Sequence, residues 1–222
     1  MTRVIILRPE PGAGETAARA ARLGLDYRLC PLFEARPVPW TPPPPEQFDA
    51  LLLTSAQGAR LAGPQLAAYR ALPAYAVGGA TARALQAQGF EQVVPGDQDG
   101  NAIAARIAAD GHRRVLHLGG RTVASIAQGP LSIQRTVIYE MVSRAGTELT
   151  GLLQPGAVLL IHSPRAGEKA AMLVPPHERA QLHIVAISPA AIAMCGDGWA
   201  SAQAPDFPDD ERMLALAAQL CE

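Results

Sequence analysis

The sequence predicts an α/β protein built from two copies of one parallel-sheet unit. Three short patterns each occur twice, in the same order and about 110 residues apart. VIIL at 4–7 recurs as VLHL at 115–118, LLLTS at 51–55 as LLIHS at 159–163, and AYAVGGATA at 74–82 as IVAISPAAI at 184–192. Every copy is a short apolar run that ends in Gly, Pro, Ser or Thr and opens into a helical pattern, which is the signature of a buried strand feeding a helix. Two such units turn their strand ends toward a shared cleft, the default place for a ligand.

Taken in order, the chain reads strand at 3–7, an Ala/Arg-rich helix at 13–23 stopped by Gly24, and a strand at 27–33. Prolines crowd residues 37–45, and because proline donates no ladder hydrogen bond this stretch is read as a linker. A strand at 50–53, helices at 56–61 and 64–69, a strand at 75–77, a helix at 81–88, a short strand at 93–94 and a helix at 101–109 follow, before the strand at 115–118. Residues 134–142 alternate as a strand and form the return linker opposite residues 34–38. Strands at 158–161 and 184–187 alternate with helices near 166–173 and from Ala190. An amphipathic helix at 209–220 closes the chain, with Asp209, Asp210 and Glu211 suited to the positive end of its dipole. This βα alternation requires a parallel sheet covered on both faces. The expected domains are residues 1–35 with 145–222 as a discontinuous first lobe, 36–45 with 134–144 as a linker ladder, and 46–133 as the second lobe.

At 222 residues with 49% apolar content, each lobe can bury a core. Neither a charged leader with a short apolar stretch nor a membrane-spanning run is present, so the expectation is a cytoplasmic protein without a membrane partner. Cys30, Cys195 and Cys221 are far apart and unpaired by motif, and the histidines lack ligand spacing, so no disulfide framework and no metal are expected. A formal charge of −1 gives little pull on nucleic acid. Of the 19 basic residues only Lys169 is lysine, and arginine is the better grip for carboxylates.

The chemical signal lies in the strand-end turns. At Thr54-Ser55, Gly78-Gly79-Ala80-Thr81, Ser163-Pro164 and Ser188-Pro189, small or hydroxyl residues precede a helix whose first N–H groups lack partners and attract anions. The same hydroxyls are ordinary helix caps on the alternative reading. Gly78-Gly79-Ala80-Thr81 lacks the third glycine of a dinucleotide loop and the Lys of a P-loop, which removes the nucleotide reading. Arg8, held by Pro9, points into the expected cleft, with Arg121 after Gly119-Gly120 as its counterpart and Arg165 after Ser163-Pro164. Tyr139, beside Glu140 in the return linker, either packs on the ladder or presents a phenol that donates a proton. His162 and Ser163 point to opposite faces of a strand and make no nucleophile pair, and Asp49, Asp97, Asp99 and Glu168 lie in turns that suggest no paired-carboxylate machinery.

Over essentially its whole length the chain resembles the uroporphyrinogen-III synthase family. The resemblance is carried by Leu7-Arg8-Pro9, Leu53-Thr54-Ser55, Ala76-Val77-Gly78 with Thr81 and Leu85, VLHL at 115–118, Val137-Ile138-Tyr139, Ser163-Pro164 and Ala186-Ile187-Ser188-Pro189, in this order and spacing. It implies two flavodoxin-like parallel-sheet lobes joined by a two-stranded linker ladder, with the active-site cleft between them. The implied activity is cyclisation of linear hydroxymethylbilane to uroporphyrinogen III, with loss of water and inversion of ring D through a spiro intermediate, without a cofactor. Tyr139 is the catalytic candidate, assisting departure of the hydroxyl. The substrate-binding candidates are Arg8, Thr54, Ser55, Gly78, Gly79, Thr81, Gly119, Gly120, Arg121, Ser163 and Ser188. A monomer is implied, with a transient contact to the enzyme that makes the substrate. Two turns depart from the family pattern: Ser188-Pro189-Ala190-Ala191 replaces a Gly-Pro-Thr-Thr type, and Gly119-Gly120 stands where Arg-Gly is common. The rival reading is a non-catalytic two-lobed protein that binds a small anion or a tetrapyrrole.

Overall fold

In the computed structural model, which describes residues 3–96 and 99–221, the chain divides into a terminal unit, Met1–Glu34 with Val142–Glu222, and a middle unit, Ala35–Met141. Asp97, counted above among the turn acids, lies outside the described residues. The first strand β1 (Val4–Ile6) leads to α1 (Gly12–Arg22) and then to β2 (Tyr27–Leu29) and β3 (Phe33–Pro37). The single strand expected over 27–33 is thus two strands, because Pro31 cannot donate to a ladder at the point where they part. In the middle unit come β4 (Ala50–Leu53), α2 (Ala56–Leu61), β5 (Ala74–Val77), α3 (Gly79–Ala87), β6 (Val93–Gly96), α4 (Gly100–Ala109) and β7 (Arg114–Gly120). The long β8 (Ser132–Ser143) returns the chain to the terminal unit. There α5 (Thr147–Thr150), β9 (Val158–Ile161), α6 (Pro164–Leu173), α7 (Pro176–Arg179), β10 (His183–Ala186), α8 (Pro189–Ala193), β11 (Ser201–Gln203) and α9 (Asp210–Gln219) complete the fold. β11 carries the short polar run Ser-Ala-Gln at a sheet edge, where no apolar pattern marks it in the sequence.

The terminal unit's sheet has the order β11-β10-β9-β1-β2 and is parallel throughout. In the middle unit the order is β3-β8-β7-β4-β5-β6, parallel from β8 to β6. Laid side by side, β1, β9 and β10 of one sheet hold the places of β7, β4 and β5 in the other. These are the strands of the three sequence repeats, so the second sheet is the first with its chain order rotated.

Both faces of each sheet are covered, which is why the strands read as unbroken apolar runs. Leu51, Leu53, Ala76, Leu116 and Leu118 pack with Ala59, Ala82 and Leu85 of α2 and α3, whereas Ala50, Leu52, Tyr75 and Val115 pack with Ile103 and Ile107 of α4. The counterpart in the terminal unit joins Val4, Ile6, Val158, Leu160 and Val185 to Ala13, Ala17 and Ala20 of α1 and to Met213 and Leu214 of α9. Burying one such branched side chain stabilises a fold by about 1.5–3 kcal/mol, so these layers dominate the stability of both units.

The return strand β8 pairs with β3 on one side, with the Val38 N–H donating to Ile138 O at 2.8 Å, and on the other it pairs along the whole of β7, from Arg114↔Ser132 to Gly120↔Tyr139, so the ladder of the two crossings is the edge of the middle sheet. The proline-rich stretch is likewise tied down within its unit. Trp40 Nε1 donates to Ala62 O at 2.8 Å, Tyr69 Oη donates to Pro43 O at 2.7 Å, and the two rings stack at 6.2 Å. Consecutive prolines supply no backbone donors, so side-chain hydrogen bonds hold this segment instead.

Candidate functional site

Parallel strands leave a crevice beyond their carboxyl ends where the strand order reverses, and in the middle unit that crevice is a pocket of about 410 Å³. Thr54 and Ser55 enter it from the end of β4, Val77 from β5, Asp99 from the start of α4, residues 122–126 from the loop after β7, and Tyr139 from β8. Capping fixes these groups locally. Ser55, in extended conformation, accepts the Gln57 N–H at 3.3 Å to begin α2. Asp99 accepts the N–H groups of Asn101 and Ala102, both at 2.9 Å, to begin α4. Asn101 Oδ1 then accepts the Ala127 N–H at 2.8 Å, which ties the pocket loop to that helix.

Tyr139 is placed by two glycines and a bulge. The register between β7 and β8 shifts after Gly119↔Val137, so that Gly120 faces Tyr139, whose carbonyl accepts the Arg121 N–H at 2.9 Å. A Cβ on Gly120 would stand 2.8 Å from Tyr139 Cζ and 3.0 Å from its hydroxyl, so only glycine lets the ring lie against this turn. The side chain is 7% exposed and lines the pocket, and among the described residues no hydrogen bond engages its hydroxyl. Arg135 clamps the same turn by donating to Gly120 O and, at 2.7 Å, to Arg121 O. The Arg121 side chain pairs with Glu140 at 2.6 Å.

The remaining candidates of this unit surround the pocket rather than line it. Gly78, at φ +78, turns the chain from β5 into α3 and donates its N–H to Gly96 O at 2.7 Å. Gly79 opens α3, and Thr81 is buried in its first turn, where it does not act as the cap. Behind the pocket His117 is 2% exposed, with Nε2 at 3.4 Å from Thr54 Oγ1. Burial, helped by the charge of Arg135, pushes its pKa down to about 4 and keeps the ring neutral at ordinary pH.

At the equivalent strand ends of the terminal unit the candidates are engaged in the fold itself. Arg8 donates to Thr16 Oγ1 at 3.1 Å and lies 3.5 Å from Asp210, and a Cβ on Gly12 would collide with its guanidinium. Asp210 accepts from Thr16 Oγ1, Arg19 Nη1 and His162 Nε2, each at 2.8 Å. Burial alone would raise the Asp210 pKa, but the hydrogen bonds of His162 and Thr16 and the charge of Arg8 hold it down to about 2. Burial outweighs this carboxylate at His162, whose pKa is lowered, so the imidazole is neutral and donates to Asp210. Ser163 caps α6 through the Ala166 N–H at 3.2 Å, and Ser188 caps α8 through the Ala191 N–H at 3.3 Å. Arg165 lies over the Phe33 ring at 4.5 Å.

The structure therefore brings Thr54, Ser55 and Tyr139 to one pocket, sets Gly78, Gly79, Thr81, Gly119, Gly120 and Arg121 around it, and holds Arg8, Ser163 and Ser188 in the terminal unit. Sequence reasoning missed His117, which looks like a strand residue, and the loop 122–126, which carries no motif. It reads Asp210 as a helix-start acid, which it is in the first turn of α9, and does not foresee that the same carboxylate joins Thr16 and His162 across 194 and 48 positions of chain. Among the described residues no group of three or more His, Cys, Asp or Glu could hold a metal ion, and no helix is long and apolar enough to cross a membrane.

Comparison with known proteins adds the family. No curated protein matches the chain. The fold resembles the solved structure of uroporphyrinogen-III synthetase from Helicobacter pylori, at 19% identity and a TM-score of 0.72, over 99% of this chain and 100% of that one. A mutant uroporphyrinogen III synthase from the extremely thermophilic bacterium Thermus thermophilus aligns over 100% and 99% of the two chains at 15% identity and a TM-score of 0.50. At such identities these likenesses speak to the fold. The family described as "Uroporphyrinogen-III synthase HemD" matches residues 14–215, which takes in both units. The chain belongs to the uroporphyrinogen-III synthase family and serves tetrapyrrole biosynthesis.

Proposed function

We propose that the pocket of the middle unit is where this chain carries out the family's reaction, with the Tyr139 phenol as the proton donor to the departing hydroxyl of hydroxymethylbilane. The family's enzymes are cofactor-independent lyases, so the protein's own groups supply the chemistry. The observation that carries the assignment is a buried tyrosine whose hydroxyl bonds no other described residue, held against Gly120 and lining a pocket at the carboxyl ends of the strands. Loss of water from the hydroxymethyl carbon leaves an azafulvene cation. A neutral phenol can protonate the leaving oxygen, and the resulting phenolate stabilises the cation.

The rest of the task is positioning. The unassisted bilane closes without inversion, so the site must hold ring D for attack through its substituted carbon, and the spiro intermediate then fragments and recloses. Thr54 and Ser55 bear donors suited to substrate carboxylates. Ser55 accepts a helix N–H through its oxygen and keeps its own proton to donate. Arg121 and the backbone of Gly78, Gly79, Gly119 and Gly120 extend this donor surface, and Arg8, Ser163 and Ser188 are the proposed contributions of the terminal unit. The protein is proposed to act as a cytoplasmic monomer that receives its substrate through transient contact with the enzyme making it.

The test is direct. Purified protein given fresh hydroxymethylbilane, without metal or nucleotide, is expected to yield the type III isomer in excess of type I. An isomer ratio equal to the enzyme-free control overturns the catalytic reading and leaves a binding protein.

A further inference from the structure

A histidine at position 117 is costly where it stands. It lies in β7 between Leu116 and Leu118, is 2% exposed, and holds the place that Ile6 holds in the other sheet. A buried imidazole destabilises a fold unless it is hydrogen-bonded. Among the described residues its Nε2 reaches one group, the Thr54 hydroxyl at 3.4 Å, and Thr54 lines the pocket. Room for the ring depends on a missing side chain, since a Cβ on Gly119 would stand 3.1 Å from His117 Nε2. Thus the middle unit places a polar ring and a nearby glycine where the terminal unit has Ile6 and Arg8.

Orientation is what this pair controls. A threonine hydroxyl rotates and can either donate or accept. If His117 Nε2–H donates to Thr54 Oγ1, the threonine proton is turned away from the ring and toward the pocket. A hydroxyl so turned is a donor, matched to the carboxylates of the substrate and mismatched to a group that needs an acceptor. We propose that His117 is a positioning residue that holds the Thr54 hydroxyl as a hydrogen-bond donor to a substrate carboxylate. The inference rests on the reading of the pocket as the site of the family's reaction.

The contact exists before and during the reaction, so its loss weakens binding uniformly and raises KM while leaving kcat in place. In steady-state assays on the full chain, Thr54→Val and His117→Phe are each expected to raise KM by roughly tenfold, with kcat changed by less than about twofold. Thr54→Ser keeps the hydroxyl, and His117→Gln carries an amide N–H near the Nε2 position, so both are expected to stay within about threefold of the wild type. The double variant His117→Phe with Thr54→Val is expected to be no worse than Thr54→Val alone, because the histidine acts through the threonine. Circular dichroism and melting accompany each variant, and His117→Met replaces His117→Phe should the latter fail to fold. Additive losses in the double variant, a His117→Gln as impaired as His117→Phe, or an effect confined to kcat would overturn the inference. A wild type that makes no excess of the type III isomer overturns instead the functional reading beneath it.

Discussion

Where β9 ends in the terminal unit, His162 donates to Asp210, and Thr16, Arg19 and Arg8 close around the same carboxylate. Where β4 ends in the middle unit, Thr54 and Ser55 open onto a pocket of about 410 Å³ with Tyr139 at its wall. The two sheets have matching strand orders and matching apolar runs, yet one uses its strand ends for internal cohesion and the other for a cavity. The difference arises from a few positions. Arg8 after β1 corresponds to Gly119 near the end of β7, and His162 after β9 corresponds to Thr54 after β4. In the terminal unit His162 and Arg8 reach a helix acid, whereas in the middle unit Thr54 lines the pocket. A sheet of this kind offers the same strand ends in both copies, and the side chains that follow them decide which groups those ends hold together.

This contrast can be broken most sharply at Asp210. Asp210→Ala removes the common acceptor of three groups, Thr16, Arg19 and His162, and the ion-pair partner of Arg8, an expected loss of about 3 kcal/mol. Urea unfolding should show this as a lower midpoint, while the folded enzyme keeps its KM. A raised KM at unchanged stability would mean that the terminal network is a ligand site after all. Arg8→Ala, which also removes a proposed substrate contact, should lose less stability and raise KM as well.

Acidification probes the buried imidazole of the middle unit. The unfolded chain binds a proton at His117 near the ordinary 6.5, whereas the folded ring resists until about 4, so the unfolded state holds more protons across that window. Stability present above pH ~6.5 is therefore lost as the pH falls toward 4, by about 3 kcal/mol from this residue alone. The melting temperature of His117→Gln is expected to fall less over the same range than that of the wild type. Parallel curves would place the acid sensitivity elsewhere.

Tyr139→Phe tests the open side of the comparison. Its expected cost is about a hundredfold in kcat, or about 2.7 kcal/mol on the barrier, with an unchanged melting temperature because the removed hydroxyl bonds no described residue. Full activity in this variant would return Tyr139 to a packing role.

The smallest effects should come from the caps. Ser163→Ala and Ser188→Ala each remove one acceptor for a helix N–H and are expected to cost about 1 kcal/mol of stability. Ser55→Ala should cost a similar amount and, because Ser55 also lines the pocket, raise KM by roughly threefold. A KM raised as much by Ser163→Ala or Ser188→Ala would put their proposed substrate contacts on the same footing as that of Ser55.

The alternation of apolar strand runs with Ala-rich amphipathic helices, and its repetition about 110 residues on, determined by sequence alone that two parallel α/β sheets form, because burial on both faces needs no knowledge of distant partners. The hydroxyl and glycine residues of the turns were legible for the same reason, since helix capping is a local transaction between neighbours in sequence. Tertiary structure decided what those turns face. Asp210 reads as a helix-start acid until the fold places it against Thr16 and His162, and His117 reads as a strand residue until β7 lies beside β4 and brings it to Thr54. The proline-rich stretch reads as a free connector until Trp40 and Tyr69 stack and pin it. Charge pairs, cavities and ring positions depend on separations of a few ångströms between segments that are far apart in the chain, and periodicity along one strand or helix carries no record of them.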